Sequence, residues 1–239
     1  MSSVNPAVHD LGISLRQAAL VAGLGLLIMT IAAPFAEFFV YKKIVVPGDI
    51  VQTTQNIAAN HGLVLAAIFA YLAVFICDLI VAWALYFLLV PVNRALSLLT
   101  AWFRLVYTAI GFVALLKLVT VFRISNTADY VAVFGSDQLH AHVKLLLNSF
   151  RYEWNIGLIL FAIHLGLLGY LVYRSGYIPR ILGILLTIAG LGWLIYVLSP
   201  YLYPNADVGF IMITFVGEII FMLWLLARGW KIQEPITHS

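Results

Sequence analysis

Apolar residues in this chain run on where a water-soluble helix would interrupt them. An amphipathic helix repeats its apolar positions every three or four residues, and a half-buried strand every second one. Here whole stretches are apolar on every side, the pattern of a helix enclosed by lipid or by other helices. A spanning helix needs about 20 such residues, and six stretches reach that length, at roughly 17–40, 62–90, 97–122, 155–174, 179–198 and 208–228.

The breaks carry stop and start signals. Pro91 ends the second stretch, and Arg94 sits in the short turn before the third. In Arg174-Ser175-Gly176-Tyr177-Ile178-Pro179-Arg180, Gly176 suits a left-handed helix cap and Pro179 the first turn of the next helix. Pro200, Pro204, Asn205 and Asp207 punctuate the last loop. Pro34 predicts a kink near the far end of the first helix. The second stretch exceeds what a bilayer needs, so it tilts or extends into water near His61. The first stretch has a weak charged region, Arg16 offset by Asp10, and Ala33-Pro34-Phe35-Ala36-Glu37 lacks a small-x-small cleavage pattern. It reads as a retained helix.

One segment is patterned differently. From Ser136, an N-cap, Leu139, Val143, Leu146, Leu147 and Phe150 repeat at helical spacing, while Asp137, His140, Lys144, Asn148 and Arg151 take other faces. That predicts an interfacial amphipathic helix before the fourth span, lying on the membrane surface or covering an outward-facing cavity. The fold class expected is therefore all-α: a polytopic bundle of six spanning helices plus this interfacial helix, in a single transmembrane domain over 1–239.

Composition narrows the solvent to lipid. Hydrophobic residues are 64% of the chain and charged ones 10%, against about 25% charged in an average soluble domain. The net charge of +3 arises from 13 basic and 10 acidic residues without runs, so no nucleic-acid partner is expected. A single cysteine, Cys77, removes disulfide, CxxC and thiolate-metal chemistry. Basic residues near helix ends set orientation. With the N-terminus inside, Arg16, Arg94, Arg174, Arg180, Arg228 and Lys231 are cytoplasmic. Lys42, Lys43, Arg123, Lys144 and Arg151 then fall in two longer outer loops. Both termini are expected in the cytoplasm.

Charge changes the picture most where it enters the spans, at Glu37, Asp78, Arg104, Lys117, His164 and Glu218. At about 1.5 Å per residue, Asp78 lies roughly 18 Å from the inner end of its helix, His164 and Glu218 roughly 15 Å, and Arg104 roughly 10 Å. In a core about 30 Å thick these four form a midplane layer, and Glu37 and Lys117 an outer one. Charges in hydrocarbon face the bundle interior, and Thr100, Arg104 and Tyr107 share one side of the third helix. The outer layer balances if Glu37 pairs with Lys117. The midplane layer, Asp78 and Glu218 against Arg104, keeps one excess negative charge when His164 is neutral. A proton on Glu218 or on His164 would remove it. Asp78, His164 and Glu218 could instead hold a metal, although no HExxH or GxSxG signature accompanies them, and no metal or cofactor is expected. Ala162, Gly166 and Gly169 on the fourth helix, with Gly183, Thr187 and Gly190 on the fifth, predict close helix packing. Trp224 and Trp230 fit an inner aromatic belt.

Several segments, AEFFVYKKIVVPGD (36–49), CDLIVAWALYFLLVPVN (77–93), FRLVYTAI (103–110), VFGSDQLHAHVKLLLN (133–148), GYLVYRSGYIPRILG (169–183) and GEIIFMLWLL (217–226), resemble an uncharacterised bacterial membrane-protein family, domain of unknown function 4386. The resemblance spans nearly the whole chain and implies a bacterial cytoplasmic membrane, with no activity or cofactor attached. Glu37, Asp78, Arg104 and Glu218 fall inside the resembling segments, and His164 outside them. Three readings follow. The protein handles a small molecule, lipid or proton through the cluster Asp78, Arg104, His164 and Glu218; or it is a membrane-embedded enzyme using the same groups; or it is an accessory protein whose charges only fix helix packing. The partners expected are membrane lipid and a small-molecule or proton ligand.

Overall fold

The computed structural model describes residues 12–125, 128–202 and 208–232. Pro204, Asn205 and Asp207 of the expected loop lie outside them, as does Asp10. Every element described is helical save an isolated bridge between Val46 and Asp49.

Helix α1 (Leu15–Pro34) opens on a capping box: Gln17 N–H donates to Ser14 Oγ at 3.2 Å, and Ser14 N–H to Gln17 Oε1 at 3.0 Å. Pro34 has no N–H to give the carbonyl four residues back. At that point the helix widens into a π segment, Phe35–Tyr41, and closes with one turn, Lys42–Ile44. The expected kink thus takes the form of a π segment.

Asp49 then caps a helix that the apolar pattern does not announce, α2 (Ile50–Ala59), accepting from Gln52 N–H at 2.8 Å. Helix α3 (His61–Leu89) stops before Pro91. Asn93 Oδ1 accepts Leu96 N–H at 2.9 Å to start α4 (Arg94–Ser125). Helix α5 (Ala128–Arg174) is broken only at Gly135 (φ 72°, ψ 162°). Gly176 takes the left-handed conformation expected of it, at φ 75°. Then come α6 (Arg180–Leu202), a 3₁₀ segment (Gly209–Phe215), α7 (Val216–Arg228) and a closing 3₁₀ turn (Gly229–Lys231). Pro200 lies inside α6, so that helix outruns its expected end.

Six helical stretches are long and apolar enough to cross a bilayer: Leu15–Ile44, His61–Leu89, Arg94–Ser125, Gly135–Arg174, Arg180–Leu202 and Gly209–Lys231. They match the six predicted stretches in order and place. Apolar side chains on them face outward, among them Phe39 at 69% exposure and Leu116 at 63%. Water would penalise that surface and hydrocarbon does not. The chain is a multi-pass membrane protein.

The fourth stretch holds a difference. The segment from Ser136 is helical with the predicted face inward, and Leu139, Val143, Leu147 and Phe150 are buried. It runs without interruption into the fourth span as part of α5. No proline or glycine separates 136 from 154, and extending a helix is easier than nucleating a second one. Val143, Leu147 and Phe150 pack into a protein core rather than onto a membrane surface.

Contacts gather into two compact units, each assembled from distant parts of the chain. Unit 1 comprises residues 1–27, 77–107 and 158–239. Its helices α5 and α6 meet backbone to backbone. A Cβ placed on Gly183 would lie 2.5 Å from the carbonyl oxygen of Gly169 and 2.6 Å from the nitrogen of Tyr173. Ala162, Gly169, Gly183 and Gly190, marked in the sequence as close-packing positions, all take part in this contact. Unit 2 comprises residues 28–76 and 108–157. Its core carries an aromatic cluster in which Tyr71, Phe75 and Phe150 all lie against Trp154, with ring centroids 5.3–5.7 Å apart. Because the obstacle at Gly183 is backbone, Gly183→Leu is expected to destabilise the protein by about 3 kcal/mol or more, seen as a lower melting temperature in detergent. Gly166→Ala, which meets open space, should leave it unchanged.

Candidate functional site

Within unit 1, α3 supplies Asp78, α4 Thr100 and Arg104, α5 His164, and α7 Glu218. Asp78 and His164 are 0% exposed and Arg104 is 1% exposed. The Arg104 fork grips one carboxylate oxygen: Nε donates to Asp78 Oδ1 at 2.8 Å, and Nη2 lies 2.6 Å from the same atom. Nη1 lies 3.2 Å from His164 Nε2, and His164 Nδ1 lies 2.9 Å from the Thr100 carbonyl.

Those two distances assign the imidazole. A carbonyl only accepts, so Nδ1 carries the hydrogen. A guanidinium only donates, so Nε2 offers its lone pair. His164 is therefore the neutral Nδ1–H tautomer, with both nitrogens engaged. In this arrangement the imidazole has no lone pair left for a metal shared with Asp78 and Glu218. Among the described residues no group of three His, Cys, Asp or Glu side chains could hold a metal ion.

Glu218 joins by its field rather than by a hydrogen bond. It lies within electrostatic range of Arg104 and Asp78, and its Oε1 accepts the Trp193 indole N–H at 2.8 Å. The Trp193 ring stacks on Phe215, with centroids 4.0 Å apart, and Phe161 lies between this pair and the Arg104 end. The four predicted midplane residues are thus gathered in one unit. Asp78 Oδ2, by contrast, is buried and accepts no hydrogen bond from the described residues. A buried carboxylate oxygen without a donor is costly. Trp193 is the member that the sequence reading missed. Its signal was an indole N–H in mid-helix, which needs an acceptor wherever it is buried.

The expected Glu37–Lys117 pair does not form. In unit 2 the π segment presents Glu37 to Arg151, whose Nη1 donates to Oε2 at 3.1 Å and whose Nη2 lies 2.5 Å from Oε1. The Tyr71 hydroxyl donates to Oε2 at 2.9 Å, and the Arg151 guanidinium lies 3.9 Å from the Tyr41 ring centroid. Lys117 pairs instead with Glu153, at 3.7 Å. The continuous α5 explains the exchange, because it brings Arg151 into the packed region where the sequence had placed a loop. A planar fork then meets both oxygens of Glu37 with two separate nitrogens, a match that a single ammonium nitrogen does not offer.

Removing one partner of the buried pair strands the other. Asp78→Asn alone is expected to cost about 3–5 kcal/mol, read as a drop in melting temperature in detergent, and the double variant Asp78→Asn with Arg104→Gln to recover most of it. Single variants as stable as wild type would show that the pair does not hold these helices.

A family model described as a domain of unknown function, DUF4386, matches residues 21–229. An uncharacterized protein of Archaeoglobus fulgidus is 38% identical over 164 residues, covering 69% of this chain and 84% of that relative. No solved structure matches. With nearly all of its helical region matched, the chain belongs to the DUF4386 family.

Proposed function

We propose that the protein handles a proton at Glu218, with Asp78, Arg104 and His164 as a fixed, net-neutral ladder behind it. The supporting observation is the hydrogen-bonded state of His164. Its ring is neutral and has no free nitrogen, so it cannot take the proton that the cluster needs. Asp78 and Arg104 cancel as an ion pair. Glu218 remains, a second carboxylate in a low-dielectric site with one indole N–H for a partner. An uncompensated carboxylate there is relieved most simply by binding a proton. Its position in the first turn of α7, next to the 3₁₀ segment Gly209–Phe215, allows protonation to be felt by the backbone.

The same reading gives the ladder Thr100–His164–Arg104–Asp78 a second part. It fastens α3, α4 and α5 together, so packing and proton binding are divided among the polar residues. We also propose that both termini face the cytoplasm, on the distribution of basic residues at the helix ends, and that the membrane is the bacterial cytoplasmic one, as the family resemblance implies.

Infrared titration tests the proton directly. Wild-type protein in bilayers is expected to show a protonated carboxyl stretch near neutral pH that disappears as the pH rises and is absent in Glu218→Gln. If there is no such band, or the band survives in Glu218→Gln, the proposal fails.

A further inference from the structure

Unit 1 distributes its charge very unevenly. Among its described residues the only carboxylates are Asp78 and Glu218, both within the spans. Outside the cluster the same unit carries Arg16, Arg94, Arg174, Arg180, Arg228 and Lys231, all at helix ends, and none of the six forms an ion pair with a described carboxylate.

Several of these ends are fastened together. Arg16 Nε donates to the Ile232 carbonyl at 2.9 Å, tying the start of α1 to the chain beyond α7. The Tyr177 hydroxyl donates to the Leu88 carbonyl, tying the α5–α6 turn to the end of α3. Burial pushes the Tyr177 phenol above its ordinary pKa, so it stays a donor. The result is a region of positive charge with no internal counterion among the described residues.

A cavity of about 480 Å³ opens in this region, lined by Tyr177, Pro179, Trp224, Arg228, Lys231 and Ile232. That volume is in the range of small-molecule sites. Its walls are of two kinds. Arg228 and Lys231 are exposed cations, whereas Pro179, Ile232 and the rings of Tyr177 and Trp224 form an apolar and aromatic surface. Trp224 and Arg228 stand one helical turn apart, so the ring lies on the membrane side of the cation. The tyrosine hydroxyl is already committed to Leu88, which leaves the two cations as the charged groups of the cavity. Cations near the last turn of a helix also complement its dipole. That role requires neither a cavity nor an aromatic wall.

We propose that this cavity binds the phosphate of an anionic glycerophospholipid, with Arg228 and Lys231 on the phosphate and Trp224 beside the glycerol and upper acyl chain. Basic pockets between spanning helices take anionic headgroups in this way, and a free phosphate would leave the aromatic wall without a role.

Native mass spectrometry of the full-length protein, released from nanodiscs of mixed phosphatidylglycerol and phosphatidylcholine, tests the proposal. Wild type is expected to retain phosphatidylglycerol over phosphatidylcholine. Arg228→Gln with Lys231→Gln should reduce that preference by roughly 30-fold, at one charge contact per residue. Arg94→Gln, which removes a cation that does not line the cavity, should leave it unchanged. Equal retention of both lipids, a double variant that behaves as wild type, or an equal loss in Arg94→Gln would overturn the site. Melting temperatures in pure phosphatidylcholine with inorganic phosphate separate the two phosphate sources. No stabilisation is expected, and stabilisation by phosphate alone equal to that by phosphatidylglycerol would overturn the lipid assignment.

Discussion

A guanidinium carried into hydrocarbon has to bring its acceptors with it, and that demand organises unit 1. Arg104 presents donors on a planar fork that cannot lose its charge. Asp78 on α3 meets two of them and His164 on α5 a third, while Thr100, one turn before Arg104 on α4, holds the imidazole by its outer nitrogen. Three helices are placed in rotation and height by three side chains and one backbone carbonyl. Glu218 stands outside this ladder with its own indole donor. The separation between the ladder and Glu218 follows from the way this one arginine is met.

Unit 2 meets the same demand with different means. Glu37 receives a forked arginine and a tyrosine hydroxyl, and the arginine rests on Tyr41. Here the site is half exposed, with Arg151 36% and Glu37 26% accessible, so screening reduces what the pair contributes to stability. Its aromatic surroundings, Tyr41, Tyr71, Phe150 and Trp154, supply apolar contact area and hydrogen-bonding capacity together.

Much of this could be read from the chain. All-round apolarity located the six spans, because lipid imposes one requirement on every side of a helix. Depth counting brought Asp78, Arg104, His164 and Glu218 together, since a helix rises by a fixed amount per residue. Gly176 and the close-packing glycines were legible because backbone sterics leave few substitutes. What escaped was whatever depends on rotation about a helix axis or on the absence of a break. Glu37 was matched to Lys117 by height alone, yet height does not say which way a side chain points. Arg151 was assigned to a loop because the amphipathic pattern from Ser136 looked self-contained, and continuity with the span was marked only by the lack of a proline or glycine between 136 and 154. Trp193 was passed over because an aromatic in an apolar run resembles packing. Helix α2 is short, and the face it buries, Thr53, Thr54 and Ile57, is mostly threonine, so an apolar pattern alone does not mark it.

The π segment after Pro34 constrains the chain in a way that concerns length rather than chemistry. A π turn takes up one residue more than an α turn, so it is equivalent to an insertion that the helix has absorbed without looping out. Every later side chain is turned about 100° round the axis from where an uninterrupted α-helix would put it. Glu37 lies within that shift, and Val40 and Ile44 follow it into the core of unit 2. Deleting one residue between 35 and 41 would preserve composition, hydropathy and span length almost entirely. It would also carry Glu37 away from Arg151 and Tyr71. Within the family, then, alignment gaps should avoid this segment even where its individual residues vary.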